Sequence, residues 1–348
     1  MKIAQIAPLA ESVPPRLYGG TERVVSYLSD ELVRLGHEVT LFASAESSTR
    51  ARLVSCAPRA LRLDPGVRDP LPHLLLMLER VRQRAHEFDL LHFHIDPPLH
   101  FPLFRGLENK TVTTLHGRLD LPDLQPLFRE FSDMPVVSIS ASQRRPLPAA
   151  HWVGTVHHGL SAEVCPFNPA PRGSYFAFLG RVSPEKGLER AIAIARAAGA
   201  RLRIAAKVDA VDQKHFRERI APLLGGQVEY LGELGEGEKP AFLGNATALL
   251  FPVDWPEPFG LAMIEAMACG TPVLAWRNGA VPEIVEHGVS GFVVDSIDQA
   301  VALVPRISQL DRARVRARYE ARFTASRMAR DYLAAYRALG RRYALKVV

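Results

Sequence analysis

Residues 251–284 read FPVDWPEPFGLAMIEAMACGTPVLAWRNGAVPEI. Two carboxylates, Glu257 and Glu265, stand eight residues apart in it. Pro256 and Pro258 turn Trp255 and Glu257 away from helical backbone, which places Glu257 on an extended loop. Over 259–269 the pattern becomes helical, with Leu261, Ile264, Met267 and Ala268 on one face. Gly270 reads as the helix stop, and Pro272 prevents continuation. TPVLAW then reads as a short buried strand. The order is strand, loop, helix, strand. A helix start attracts anions, and carboxylates beside it are suited to accept hydrogen bonds from sugar hydroxyls. Phosphate next to a polyol suggests a nucleotide sugar.

The flanking sequence repeats this grammar. KIAQIAP is a strand, TERVVSYLSDELVRLG a helix with Val24, Val25, Leu28, Leu32 and Leu35 at helical spacing, and HEVTLFAS a second strand. One βαβ unit predicts a parallel sheet. RARLVSCAP and ALRLD are weak strand or loop segments. Strands follow in DLLHFH, KTVTTLHG, PVVSIS and TVHHGL, and helices in LPHLLLMLERVRQRAHEF and LQPLFREFS. Residues 163–174, EVCPFNPAPRGS, hold three prolines and a glycine and read as a linker. YFAFLGR restarts the pattern. GLERAIAIARAAG and DQKHFRERIAPLL read as helices, ARLRIAAK, QVEYLGEL and TALLFPV as strands, and 312–343 as one long helix. Its arginines, ten between Arg312 and Arg342, read by default as a solvated face, with contact to an anionic membrane the minority reading.

At 348 residues the chain accommodates two domains, and 47% hydrophobic content supplies both cores. A net charge of +6 permits anionic partners without selecting one, and no nucleic-acid motif accompanies it. Cys56, Cys165 and Cys269 lie far apart without a C-x-x-C. That spacing suits neither a disulfide framework nor a zinc site and fits a reducing cytosol. The start, MKIAQIAPLA, reads as a strand rather than a signal peptide.

Four further motifs sit where strands end. Gly19 and Gly20 lie between the first strand and first helix, the phosphate-binding position of a doubly wound sheet. They are also what a tight turn requires. His92 and His94 share a strand face and read as core histidines, since no third metal ligand is evident. His116, before Gly117, ends a strand at the sheet edge that faces a cleft. It is positioned either to meet a sugar or to pack. Arg181 and Lys186, in GRVSPEKG, flank a turn that opens a helix. A planar fork and a point charge there suit a departing diphosphate. Paired glutamates alone would also suit a hydrolase, which would leave Arg181 and Lys186 without a role.

Taken together, GRVSPEKG, EPFGLAMIEAMACGTPV and the GG-T-E of the first loop resemble the donor-site motifs of glycosyltransferase family 4. HIDPP, TTLHG and GVSGFVVD match the family's usual run of segments, so the resemblance spans nearly the whole chain. It implies the GT-B fold: two facing Rossmann-like α/β domains with the active site in the cleft. Residues 1–162 would be the acceptor domain, 163–174 the linker, 175–324 the nucleotide-sugar domain, and 325–348 a helix packing back on the first domain. It implies a cytoplasmic, retaining transferase that needs no metal or other cofactor. The transferase would move a hexosyl group from a UDP- or GDP-linked sugar to a carbohydrate or lipid-linked hydroxyl. Carried over by motif, Arg181 and Lys186 hold the diphosphate, Glu265 the ribose, and Glu257 the donor sugar. The N–H groups of Phe259, Gly260 and Leu261 face phosphate or sugar, and Gly19 or Gly20 contacts phosphate. His116 stands beside the reacting sugar, and Leu234 meets the base through its backbone. A binding protein without transfer activity and a sugar-nucleotide epimerase of the same architecture are the alternatives.

Overall fold

The computed structural model describes residues 1–344 and divides into two compact units. Residues 1–159 and the helix Ala325–Ala344 form the first, and residues 160–324 the second.

The first unit holds strands β1 (Lys2–Ile6), β2 (Glu38–Ser44), β3 (Arg52–Ala57), β4 (Leu90–Phe93), β5 (Thr111–Thr114), β6 (Pro135–Ser138) and β7 (His151–Thr155). They form one parallel sheet in the order β3-β2-β1-β4-β5-β6-β7. Every residue of β4, β5 and β6 is buried, as expected of central strands covered on both faces. The helix Gly20–Arg34 turns Val24, Val25, Leu28 and Leu32 inward. Phe42, Phe93, Phe101, Phe104 and Phe128 fill the core, each worth about 1.5–3 kcal/mol of burial. The helix Ala325–Ala344 packs on the helix Gly20–Arg34 and on β7, burying Met328, Tyr332, Tyr336 and Leu339.

The second unit holds β8 (Tyr175–Arg181), β9 (Arg201–Lys207), β10 (Val228–Gly232), β11 (Ala248–Phe251), β12 (Val273–Trp276) and β13 (Gly291–Val294), parallel in the order β10-β9-β8-β11-β12-β13. In each sheet the chain winds outward on one side and then restarts on the other. The switch falls between β1 and β4 in the first unit and between β8 and β11 in the second. Loops leaving the carboxyl ends of strands diverge at such a point, opening a crevice for ligands.

Several expectations are corrected. Of the two segments that read as strand or loop, RARLVSCAP forms the edge strand β3 and ALRLD a single turn, Leu61–Leu63. The seventh strand is His151–Thr155 rather than TVHHGL. Its partner β6 ends at Ser138, which pairs with Thr155, so nothing continues the ladder through His157 and His158. β5 lies inside the sheet, because β6 and β7 add beyond it, and His116 follows its carboxyl end. DQKHFRERIAPLL is helical, as expected, but irregular, passing through short turns and a wide π turn at Phe216–Ile220. Pro222 has no N–H for an i→i−4 bond and disrupts the regular ladder before it.

The long arginine-rich helix is two helices, Arg312–Arg322 and Ala325–Ala344. Phe323 is fully buried, and its carbonyl accepts from the Leu160 N–H at 2.9 Å. Thr324 bridges to Leu160. That pairing ends the first helix. Nor are these arginines simply solvated. Arg312 donates to the carbonyls of Asn168, Gly244 and Ala246, and Arg316 to those of Cys165 and Ala268. Arg322 donates to the Glu283 carbonyl and Arg327 to those of His157 and His158. The side chains of Arg341 and Arg342, and residues 345–348, lie outside the described residues. Among the described residues no helix is long and apolar enough to cross a membrane.

Candidate active site

In the second unit the two loops at the switch point carry the residues singled out above. Arg181 ends β8, and Pro184–Lys186 makes one tight turn into the helix Leu188–Ala197. Gly187 between them has φ 71°. A Cβ there would run into the Pro252 carbonyl on the neighbouring loop, so only glycine lets the two loops touch. The Asp254 N–H donates to the Glu185 carbonyl at 2.7 Å, which ties them together.

Lys186 Nζ donates to Glu257 Oε2 at 2.6 Å, and Trp255 Nε1 donates to the same oxygen at 3.0 Å. The ammonium also lies over the Trp255 ring, 4.8 Å from its centre. The pair is largely withdrawn from solvent, with side-chain exposures of 16% and 9%. Glu257 is further clamped from behind: its carbonyl accepts from the Ala280 N–H at 2.8 Å, and Gly279 packs against its backbone too closely for a Cβ. Arg181 is held by Glu185 at 2.8 Å and Asp209 at 3.5 Å, and Ser183 Oγ also donates to Glu185. Each cation thus sits against carboxylates.

Gly260, φ 87°, ends this loop and starts the helix Leu261–Ala268. Phe259 is buried with its ring edge-on to Phe323. The first N–H groups of the helix have no intrahelical acceptor. Glu265 is buried, yet among the described residues no hydrogen bond or ion pair reaches its carboxylate. A buried lone carboxylate is costly unless something binds it. Leu234 lies half-buried in the loop after β10.

In the first unit, Gly19 precedes the helix Gly20–Arg34 and packs on Pro15, where a Cβ would lie 2.7 Å from Pro15 Cβ. Glu22, one turn on, is buried, and burial raises its carboxyl pKa. His116 follows β5, half-buried rather than open to solvent. Its Nε2 meets His94 Nδ1 at 2.9 Å, and its ring stacks on His158 at 5.2 Å. His94 Nε2 meets Gln5 Oε1 at 2.8 Å. His92 and His94 are fully buried, as the core reading expected, with ring centres 4.0 Å apart. Among the described residues no group of three or more His, Cys, Asp or Glu is arranged to hold a metal ion.

Residues 167–323 match the family described as glycosyl transferases group 1, and residues 18–153 match glycosyltransferase family 4. The phosphatidyl-myo-inositol mannosyltransferase of Mycolicibacterium smegmatis is 27% identical over 92% of this chain and 88% of its own. Together these matches show a glycosyltransferase of the family 4 type. Among solved structures, the transferase is similar to AviGT4, a glycosyltransferase involved in avilamycin A biosynthesis, at 25% identity. That match has a TM-score of 0.76 and covers 97% of each chain. Anabaena HepE, solved in complex with UDP and glucose, shares the fold at 19% identity, with a TM-score of 0.72 over 96% of this chain and 98% of its own. Both sheets follow the GT-B plan.

Sequence reasoning passed over four residues that the glycosyltransferase places against the candidates: Trp255, Glu185, Asp209 and Gln5. Trp255 carried a signal, a bulky donor two residues before Glu257 in a proline-bounded loop. Gln5 carried little: one polar side chain in an otherwise apolar strand interior.

The histidines should make the transferase acid-sensitive. Burial lowers the pKa of His92, His94 and His158 well below the usual value, and takes His100 and His116 down to about 3. Unfolded, each would titrate near 6.5. Below about pH 6.5 the unfolded chain therefore binds protons that the folded one refuses, and stability falls with pH. Each such histidine removes about 1.4 kcal/mol per pH unit in that window. Urea midpoints measured at pH 7.5 and 5.5 should drop steeply; equal midpoints would contradict the buried, neutral assignment.

Proposed function

We propose that this glycosyltransferase is a retaining, metal-independent hexosyltransferase that uses a UDP- or GDP-linked sugar. The observation that carries this reading is the Lys186–Glu257 contact beside Arg181 at the β8/β11 switch point. Two cations for a diphosphate and a carboxylate for a sugar stand within one loop pair. In the free enzyme they neutralise one another. A bound donor replaces those contacts: the diphosphate takes Arg181 and Lys186, and donor hydroxyls take Glu257. The unpartnered Glu265 accepts from the ribose hydroxyls, and the N–H groups of Phe259, Gly260 and Leu261 face phosphate or sugar. Leu234 meets the base through its backbone. Gly19 or Gly20 contributes backbone to phosphate, and His116 contacts the donor sugar.

In the reaction, the bond from the anomeric carbon to the phosphate oxygen breaks and its electron pair goes to the diphosphate. Arg181, Lys186 and the helix start stabilise the charge that accumulates there. The acceptor oxygen bonds to the same face of the anomeric carbon, and its proton passes to the departing phosphate oxygen. No protein base is required in this route. Protein cations beside the diphosphate supply neutralisation that a metal gives elsewhere, which supports metal independence. The name of the mycobacterial relative supports a hexosyl donor and a lipid-linked or carbohydrate acceptor.

Thermal denaturation against a panel of nucleotides tests the donor half. A diphosphate of uridine or guanosine at 100 times its Kd should add about 2.7 kcal/mol of stability. No stabilisation by any nucleotide would sink the reading. Turnover unchanged by EDTA, and a product with the donor's anomeric configuration, test the metal and stereochemical claims.

A further inference from the structure

His116 is one end of a hydrogen-bond chain buried in the first unit. Its Nε2 meets His94 Nδ1, His94 Nε2 meets Gln5 Oε1, and Gln5 Nε2 reaches Tyr336 Oη at 3.5 Å. Tyr336 Oη meets His92 Nδ1 at 2.7 Å, His92 Nε2 meets Thr114 Oγ1 at 2.8 Å, and Thr114 Oγ1 meets Tyr332 Oη at 2.9 Å. Gln5, His92, His94, Thr114, Tyr332 and Tyr336 are all fully buried. Such a chain has a polarity, because each neutral imidazole has one donor and one acceptor.

The polarity follows from the glutamine. Gln5 Oε1 can only accept, so His94 carries its proton on Nε2 and presents a bare Nδ1. His116 must then donate from Nε2. That leaves His116 Nδ1 as a lone-pair acceptor, and this atom is buried without a partner among the described residues. The reverse polarity would put an N–H on that atom, and an orphaned buried donor is the rarer defect. At the other end, Gln5 Nε2 donates to Tyr336, Tyr336 to His92 Nδ1, and His92 Nε2 to Thr114.

We propose that His94 and Gln5 are positioning residues that fix the tautomer of His116, so that its Nδ1 accepts a hydrogen bond from a donor-sugar hydroxyl. This rests on the placement of His116 at the sugar proposed above. Burial keeps His116 neutral at working pH, so it orients a hydroxyl without competing for its proton. The helix Ala325–Ala344 joins the same chain through Tyr336 and Tyr332, which gives that helix a chemical as well as a packing role.

The test begins with the wild-type enzyme, labelled with ¹⁵N-histidine and free of donor. The His116 imidazole, assigned by its loss in His116→Gln, should show a protonated Nε2 and a bare Nδ1. A proton on Nδ1 overturns the relay, whatever any variant does. His94→Phe removes the acceptor and should release the tautomer, lowering kcat about 10²-fold with nucleotide Kd unchanged. His94→Asn keeps an acceptor where Nδ1 stood and should restore the Nε2–H signature and most of kcat. A tautomer released in His94→Phe with kcat unaltered would overturn the placement of His116 at the sugar while leaving the relay intact.

Discussion

Replacing Lys186 or Arg181 with alanine should lower kcat by about 10²–10³-fold each, and the two variants should part company in stability. The rate loss has one cause. Bond breaking places charge on the diphosphate, and each substitution removes one fixed cation from beside it. Stability divides them because the free enzyme holds the two cations differently. Lys186 neutralises Glu257, whose side chain is 9% exposed. Removing the ammonium leaves that carboxylate with the Trp255 N–H and water. Breaking a fully buried pair costs about 3–5 kcal/mol, so a loss somewhat below that is expected for this one. Arg181 is 32% exposed, and its partners Glu185 and Asp209 keep other donors, Ser183 and Lys207. Arg181→Ala should therefore lose rate while nearly keeping its urea midpoint. Steady-state kinetics at saturating donor, read beside urea unfolding, separates the cases. Near-normal turnover in both variants would end the diphosphate assignment.

The E-x₇-E stretch was readable because its punctuation is local. Pro256, Pro258, Gly270 and Pro272 fix loop and helix limits almost without tertiary help, and the helix runs Leu261–Ala268 within the expected 259–269. Apolar runs likewise located the strands of both sheets other than β7. What failed depended on neighbours in space. TVHHGL has the composition of a strand, but a strand needs a partner, and β6 stops at Ser138. Residues 312–343 have helical periodicity throughout, but Leu160 pairs with Phe323 and Thr324 and divides them. The charges were legible as types and not as pairs. Nothing in the spacing of Lys186 and Glu257, 71 residues apart, says that they touch. The polarity of the histidine chain was invisible for the same reason: it is set by Gln5, 89 residues from His94.

The same contrast between a paired and an unpaired carboxylate makes Glu257 and Glu265 distinguishable by the sign of two effects. Glu257→Gln keeps an oxygen for the Trp255 N–H but strips Lys186 of its counter-charge. It should lower stability in the absence of donor and lower kcat by about 10²-fold or more, with the Kd for the free nucleoside diphosphate roughly kept. Glu265→Gln removes a buried charge that no group in the free enzyme balances. Without nucleotide it should be as stable as the wild type or more so. With nucleotide it should lose about 1.5–3 kcal/mol of the binding energy, the worth of a hydrogen bond to a charged group, or roughly 10-fold or more in Kd. Calorimetric titration of UDP and GDP into both variants, beside their melting temperatures without ligand, provides the four readings. If nucleotide affinity fell in Glu257→Gln and survived in Glu265→Gln, the sugar and ribose assignments would have to be exchanged. If neither variant changed affinity or turnover, the carboxylates would be structural, and the switch-point loops would need a ligand other than a nucleotide sugar. The melting temperatures carry independent weight, since they follow from how the site's own side chains are paired and not from what it binds.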